Sequence, residues 1–223
     1  MSESTMTLKL YNFFRSGTSH RLRIALNLKG LAYEYVPIDL RTEQHLGAEY
    51  KALNPQGLVP ALVESGMALG RVLIQSPAII EWLEERYPHP ALLPSDLDAR
   101  AHVRALAAIV GCDMHPVNNR RILQALRRDF GADEVAVQRW CAGWITDGFD
   151  ALEALLAGDS QRGDFCFGAA PTLADVYLVP QVESARRFKL DIQSWPNVLA
   201  VDDACGRIEA FRRAAPANQP DAA

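Results

Sequence analysis

The sequence lacks paired cysteines, long apolar runs and any strong excess of one charge. Its four cysteines are widely spaced and form no C-x-x-C pair: Cys112, Cys141, Cys166 and Cys205. That spacing argues against a disulfide framework or a zinc site and favours buried thiols in the reducing cytosol. No apolar run approaches the ~20 residues of a membrane helix, and residues 1–10 lack the basic and apolar regions of a secretory signal. We therefore expect a cytoplasmic protein that does not span a membrane.

The charge of the chain is close to balanced. The 223 residues include 23 basic and 27 acidic side chains, for a net charge of −4, and both sides of residue 98 are slightly acidic. Neither half resembles a basic arm, so we expect no nucleic-acid partner. Any anion that the protein binds must be held by individual arginines.

Hydrophobic periodicity divides the chain into two parts. Up to Tyr87, strand and helix patterns alternate in the order β-α-β-α-β-β-α of a thioredoxin-like domain, with a hairpin turn over residues 66–70. Closely spaced prolines then indicate a linker over residues 88–98, because proline denies both helix and ladder hydrogen bonds. Beyond the linker almost every pattern is helical. We predict an α/β domain over residues 1–87 and an all-α domain over residues 99–223.

The loop from Arg15 to Ser19 lies between the first predicted strand and the first predicted helix. Its hydroxyl groups would meet the backbone N–H groups of a helix N-terminus, where a thiolate or another anion is stabilised. The same residues also fit an ordinary N-cap and turn. The loop alone therefore does not decide between a binding role and a structural one.

Two other segments, Val59-Pro60 and Gln75-Ser76, also fit either a binding role or a structural one. Pro60 opens a predicted strand without a donor for the ladder, so the Val59-Pro60 bond indicates an edge or a cis turn. A cis bond would turn the backbone N–H and C=O of Val59 towards a peptide-like ligand. Gln75 and Ser76 offer an amide and a hydroxyl at another helix start, which suits a carboxylate. An ordinary strand start and an ordinary capped helix are the alternatives.

The second half of the chain supplies cationic candidates. His115, Asn119 and the pair Arg120-Arg121 lie at a broken helix, and the pair Arg186-Arg187 closes a later one. Neighbouring helical residues point about 100° apart, so only one arginine of each pair can face a given site. Arginine pairs are also common on solvated helix faces.

Taken together, these motifs resemble those of the zeta-class glutathione transferases. The first half contains FRSGTSHRLRIALNLKG, NPQGLVPAL and QSPAIIEWLEERYP, and the second half contains CDMHPVNNRRIL and PTLADVYLVPQVESARRF. The resemblance runs from Leu8 to Phe211 and is closest to the bacterial maleylpyruvate isomerase and maleylacetoacetate isomerase members. It implies the glutathione-transferase fold, an α/β thioredoxin-like N-terminal domain followed by an all-α C-terminal domain.

The resemblance also implies site residues. Ser16 matches the first serine of the serine-serine-cysteine signature, whereas Gly17 and Thr18 replace its second serine and its cysteine. Ser16 and Thr18 both remain candidates for the hydroxyl that faces the glutathione sulfur, and we expect Thr18 to contribute more. The usual glutamine before Val59 is Leu58 here, which removes one contact. Arginines implied to bind the substrate are Arg15, Arg121 and Arg187. Positions implied to bind glutathione are His45, Val59, Pro60, Gln75, Ser76, His115 and Asn119.

The implied activity is a glutathione-dependent cis–trans isomerisation in aromatic catabolism. It would convert a maleyl keto acid, maleylpyruvate or maleylacetoacetate, into its fumaryl isomer without a metal, and the implied assembly is a homodimer. One alternative is a general glutathione transferase that conjugates or dehalogenates small electrophiles, although three arginines disfavour its apolar substrate site. Another is a non-catalytic binding protein of the same fold. A glutaredoxin-type role lacks its cysteine, since residues 15–20 contain none.

Overall fold

The computed structural model describes residues 7–65 and 72–222. The chain forms two compact units, of which one is Met1–Ala91 together with Glu209–Ala223 and the other is Leu92–Ile208. Among the described residues, no helix combines the length and the hydropathy that crossing a membrane requires.

The first unit is built on a mixed four-stranded sheet. Its strands are β1 (Leu8–Asn12), β2 (Tyr33–Pro37), β3 (Ala61–Glu64) and β4 (Val72–Ile74), arranged in the order β2-β1-β3-β4. Strand β1 is parallel to β2 and antiparallel to β3, which is antiparallel to β4. Its helices are α1 (Gly17–Leu28), α2 (Ala48–Leu53) and α3 (Ser76–Arg86). The predicted β-α-β-α-β-β-α order is confirmed, whereas the predicted turn over residues 66–70 lies outside the described residues.

The first strand and the first helix share one buried core. Along β1, Leu8 and Leu10 are buried and Lys9 between them is exposed, as expected for a strand with one face in the core. In α1, Leu22 and Leu26 are fully buried and lie four residues apart on one helical face. The loop that joins the two elements is therefore held at both ends by core packing.

The second unit is all-helical, as predicted. It contains α4 (Leu97–Ala108), a π-helical turn (Ile109–Met114), α5 (Arg120–Phe130), α6 (Glu134–Gly158), α7 (Leu173–Arg187) and α8 (Pro196–Gly206). Gly148 lets α6 approach the π-helical turn, because a Cβ atom at this position would lie 2.4 Å from the sulfur of Met114. This close contact fixes the turn that leads into His115.

The observed division corrects the predicted domain boundaries at two points. The last helix, α9 (Glu209–Ala214), belongs to the first unit and not to the all-α domain. It packs on α1, where the side-chain amide of Asn27 donates to the carbonyl of Ala210 at 3.0 Å. The predicted linker is also too long, because Leu92 and Leu93 are buried and belong to the second unit.

Candidate active site

The loop between β1 and α1 ends in an N-cap serine. The hydroxyl oxygen of Ser16 accepts from the backbone N–H of Ser19 at 3.3 Å and caps α1. The capping interpretation is therefore correct, and it leaves the hydroxyl proton of Ser16 for another acceptor. Because α1 has twelve residues, its N-terminus also contributes a positive field at this loop.

A chain of hydroxyl groups connects this loop with Val59. Thr18 Oγ1 lies 2.9 Å from Ser16 Oγ and 3.0 Å from the carbonyl oxygen of Val59. Since a carbonyl can only accept, Thr18 donates its single proton to Val59, and Ser16 is then the donor in the bond to Thr18. Ser16 thus stands at the start of the chain and Val59 at its end.

The segment that carries Val59 is held rigidly by its neighbours. The carbonyl of Leu58 accepts from the Tyr50 hydroxyl and from the Asn54 side-chain amide, both at 2.7 Å. Gly57 has a φ of +62°, and a Cβ atom there would lie 2.9 Å from the carbonyl oxygen of His45. The Val59-Pro60 bond is cis. Tertiary contacts therefore fix the main chain of Val59 beside Thr18.

Gln75 and Ser76 form a strained helix start. Gln75 has a φ of +68°, a region that residues other than glycine seldom occupy, and it precedes α3. The hydroxyl of Ser76 is buried and has no hydrogen-bonding partner among the described residues. A strained residue beside an unsatisfied buried hydroxyl at a helix N-terminus is consistent with a binding site for a carboxylate.

His45 lies in the 3-10 turn Gln44–Leu46 and is buried. The contact between its carbonyl and Gly57 brings this turn next to the Val59 segment. Arg15, by contrast, is exposed, and its guanidinium carbon lies 5.9 Å from the centre of the Phe14 ring. Both residues belong to the same unit as Ser16, Thr18, Val59 and Ser76.

In the second unit, the two arginines at the end of α7 have different partners. Arg186 forms an ion pair with Asp202, with 2.6 Å between Nη2 and Oδ2. Arg187 donates to the Ser184 hydroxyl at 3.2 Å and lies over the Phe188 ring. A guanidinium that already binds a carboxylate is poorly available for a second one, so Arg187 is the better candidate.

The arginine pair at the start of α5 differs in the same way. When the side-chain amide of Gln124 is oriented with its oxygen towards Arg120, that oxygen accepts a hydrogen bond from Arg120 Nε at 3.1 Å. Arg121 is exposed, and its guanidinium has no hydrogen-bonding partner within the described part of the chain. Asn119 caps α5, because its side-chain oxygen accepts from the backbone N–H of Arg121 at 2.9 Å. Only its amide NH₂ could therefore bind a ligand. His115 directly follows the π-helical turn and is partly exposed.

Two residues that the sequence analysis missed support the loop before Ser16. Arg23 is fully buried, and its Nη2 donates to the Phe14 carbonyl at 2.8 Å. The carboxylate of Asp221 accepts from the backbone N–H of Phe14 at 3.1 Å. An arginine among the apolar residues of α1 was a visible signal, but Asp221 lies 207 positions from Phe14 and gave none.

The cysteines do not take part in this arrangement. Burial raises the pKa of the Cys141 thiol to about 11, and it raises the pKa values of Cys166 and Cys205 as well. The expectation that all four thiols are buried is wrong for Cys112, which is exposed on the π-helical turn. Among the described residues, no cluster of His, Cys, Asp or Glu could hold a metal ion.

Comparisons with known proteins agree on one family. Residues 15–86 match the family model of the glutathione S-transferase N-terminal domain, and residues 134–206 match that of the C-terminal domain. The chain is 68% identical to a maleylpyruvate isomerase from a Ralstonia species, over 97% of this chain and 100% of that protein.

Two solved structures are similar along almost the whole chain. One is a holo structure of a maleyl pyruvate isomerase, described as a bacterial zeta-class glutathione S-transferase. It is 67% identical with a TM-score of 0.93, and the match covers 96% of this chain and 100% of that one. The other is a maleylacetoacetate isomerase from Anaeromyxobacter dehalogenans with glutathione in its active site. It is 45% identical with a TM-score of 0.87, and the match covers 98% and 99% of the two chains.

Proposed function

Because this chain belongs to the glutathione S-transferase family, in its zeta class, we propose that it is a glutathione-dependent cis–trans isomerase. Its substrate is a maleyl keto acid, which it converts into the fumaryl isomer. The observation that carries this proposal is the 68% identity with a maleylpyruvate isomerase over 97% of the chain. The same observation favours maleylpyruvate over maleylacetoacetate as the substrate.

The residues of the first unit are suited to hold glutathione. The unsatisfied buried hydroxyl of Ser76 is a ready donor for the γ-glutamyl carboxylate, together with Gln75 and the N-terminus of α3. The backbone of Val59, fixed beside Pro60, suits the cysteinyl part, and His45 suits the glycyl end. His115 and the amide NH₂ of Asn119 are the candidates from the second unit.

When bound, glutathione supplies a thiolate that adds reversibly to the maleyl double bond, so that the bond becomes single and can rotate. A free thiol has a pKa near 8.5 and is mostly protonated at neutral pH. A donor directed at the sulfur favours the charged form and lowers that pKa.

We infer that Ser16 is the principal donor to this sulfur. To reach it, Thr18 would have to withdraw its proton from the Val59 carbonyl, whereas Ser16 only has to turn away from Thr18. If a ligand N–H replaces Thr18 on that carbonyl, Thr18 can turn its own proton to Ser16 and compensate the lost bond. The hydrogen-bond directions therefore favour Ser16, and we revise the sequence-based expectation that Thr18 contributes more.

The arginines serve the dicarboxylate substrate. Arg187, Arg121 and Arg15 are the guanidinium groups proposed to bind its carboxylates and the negative charge that develops on its keto oxygen. Arg187 has the strongest support, since its neighbour Arg186 is bound to Asp202. A planar guanidinium binds a carboxylate through two parallel hydrogen bonds, which lysine cannot do.

The proposed function makes a direct prediction about glutathione. Isomerisation of maleylpyruvate, followed by its ultraviolet absorbance, should require glutathione, while the concentration of free thiol should stay constant through many turnovers. Maleylacetoacetate should be the poorer substrate of the two. Stoichiometric loss of free thiol would instead indicate the alternative, a transferase that conjugates its substrate.

We also propose a cytoplasmic homodimer. Four unpaired cysteines, three of them buried, are typical of a reducing compartment. The dimer is what the family resemblance implies, whereas a single exposed apolar side chain such as Leu97, which is 77% exposed, is normal on a protein surface. Sedimentation at micromolar concentration should give twice the monomer mass of 24.6 kDa. A stable monomer would rule out the dimer.

A further inference from the structure

The segment that follows α9 returns to the loop that carries the proposed catalytic hydroxyls. Two side-chain amides hold this return: Asn218 donates to the carbonyl of Arg212 at 2.7 Å, and Gln219 donates to the carbonyls of Arg213 and Ala215 at 2.7 and 2.8 Å. Gln219 is buried. The segment is therefore ordered up to Asp221, which it places against β2 and the loop.

The carboxylate of Asp221 joins two elements of the first unit. One oxygen accepts from the backbone N–H of Phe14 at 3.1 Å, and the other accepts from the hydroxyl of Tyr35 in β2. Burial, and then this hydrogen bond, raise the pKa of the Tyr35 hydroxyl above its ordinary value, so that it remains a donor at neutral pH.

The backbone carbonyl of Phe14 is also fixed, through Arg23, by a contact with α9. This carbonyl accepts from Arg23, and Arg23 Nε donates to the carbonyl of Ala214 in α9 at 2.9 Å. The Phe14 ring packs edge-on against Phe13, with 4.7 Å between ring centres, and the guanidinium carbon of Arg41 lies 5.8 Å from its centre. Backbone and ring are thus both fixed, two residues before Ser16.

We propose that Asp221 is a positioning residue for the hydroxyls of Ser16 and Thr18, an inference that rests on the proposed function of this loop. Ser16 has to cap α1, bond to Thr18 and present its proton to a sulfur, and a small displacement of the loop would misalign all three. The carboxylate sets that position through the Phe14 amide, so it acts on the two hydroxyls indirectly. The segment after α9 is then part of the active-site architecture.

The experiment compares Asp221→Ala and Asp221→Asn with Glu209→Ala in the full-length protein. Glu209→Ala is the matched control, because it removes an exposed carboxylate of the adjoining helix α9 that, among the described residues, pairs with Arg212. Asp221→Asn retains an oxygen that can accept from Phe14 and guards against a variant that does not fold. The readouts are the pH midpoint of the bound thiolate absorbance, kcat, KM and the hydrogen exchange of the Phe14 amide.

Asp221→Ala should raise the thiolate midpoint and lower kcat about tenfold, since a displacement of ~1 Å in a catalytic group can cost about a hundredfold and Arg23 still holds one side of the loop. KM for the substrate should change less. Exchange of the Phe14 amide should become faster, Asp221→Asn should fall between Asp221→Ala and the wild type, and Glu209→Ala should match the wild type.

The proposal is overturned if Asp221→Ala keeps the wild-type midpoint and kcat, whatever happens to its melting temperature. It is also overturned if Glu209→Ala has the same effects, because the segment would then matter only for stability. Failure of the proposed function has a separate signature: the wild type itself would show no glutathione-dependent isomerisation. The exchange of the Phe14 amide without glutathione would still decide whether Asp221 orders the loop.

Discussion

Neighbouring side chains of the same type have different hydrogen-bonding partners in this protein. The ion pair with Asp202, whose side chain is 9% exposed, engages Arg186 in the structure of the second unit, whereas Arg187 donates to the neutral hydroxyl of Ser184. The hydroxyl pair differs in a similar way: Thr18 donates its proton to a carbonyl, whereas Ser16 donates its proton only to another hydroxyl. In both cases the partner on the protein distinguishes two similar side chains, and the proposed roles follow that difference.

The arginine pair yields a prediction with a built-in control. Arg187→Ala should lower kcat/KM. The loss should correspond to about 1.5–3 kcal/mol of transition-state stabilisation, the range for a hydrogen bond to a charged group. Glutathione affinity should barely change. Arg186→Ala should instead lower the free energy of unfolding, because it leaves the buried Asp202 carboxylate without its partner. Steady-state kinetics and urea unfolding of both variants separate the two effects, and a reversed pattern would contradict the assignment.

For individual residues, the sequence could indicate which side chains belong to the site but not which hydrogen bonds they form. The serine, threonine and arginines follow from motifs that are local in the chain. The bond from Thr18 to Val59 spans 41 positions, and that from Phe14 to Asp221 spans 207, so no local spacing encodes them. These two contacts are the basis of the roles that we propose for Ser16 and Asp221.

Helix α1 is the element on which the site depends, and it is unusual in its buried basic residues. His20 is 3% exposed, and Arg21 and Arg23 lie beside it in the buried part of the helix. Burial, and then the positive charges of Arg23 and Arg21, lower the pKa of His20 well below its ordinary 6.5. His20 is therefore neutral in the folded protein.

This lowered pKa predicts how stability depends on pH. Below pH 6.5 the unfolded chain binds a proton at His20 that the folded chain does not, so the free energy of unfolding falls as the pH falls. The contribution is at most about 1.4 kcal/mol per pH unit. His20→Gln should reduce the loss of stability between pH 6.5 and pH 5, as measured by urea unfolding at several pH values. Equal pH slopes for the variant and the wild type would contradict this interpretation.

The order of the elements was predictable because each has its own hydrophobic period, from alternating Leu8 and Leu10 in β1 to the four-residue spacing of Leu22 and Leu26 in α1. The membership of α9 was not. Its assignment to the first unit depends on carbonyl groups of Ala210 and Ala214 that meet Asn27 and Arg23. Backbone carbonyls are the same in every sequence, so such docking leaves no pattern to find.

In the whole molecule, the net charge is only −4, so the proposed binding of anions depends on individual arginines and helix N-termini. In the proposed function, the helix N-terminus, the chain of hydroxyls and the unsatisfied buried serine of the first unit bind glutathione, and arginines bind the dicarboxylate. The central claim of this proposal is that Ser16 stabilises the thiolate.

The most direct test is the thiolate absorbance of the enzyme–glutathione complex, titrated against pH for the wild type, Ser16→Ala and Thr18→Val. Loss of a hydrogen bond to a charged group costs about 1.5–3 kcal/mol, which is roughly one to two pKa units. Ser16→Ala should raise the midpoint by that amount, and Thr18→Val should raise it less, because Thr18 acts through Ser16. A larger shift for Thr18→Val, or no shift for either variant, would contradict the account.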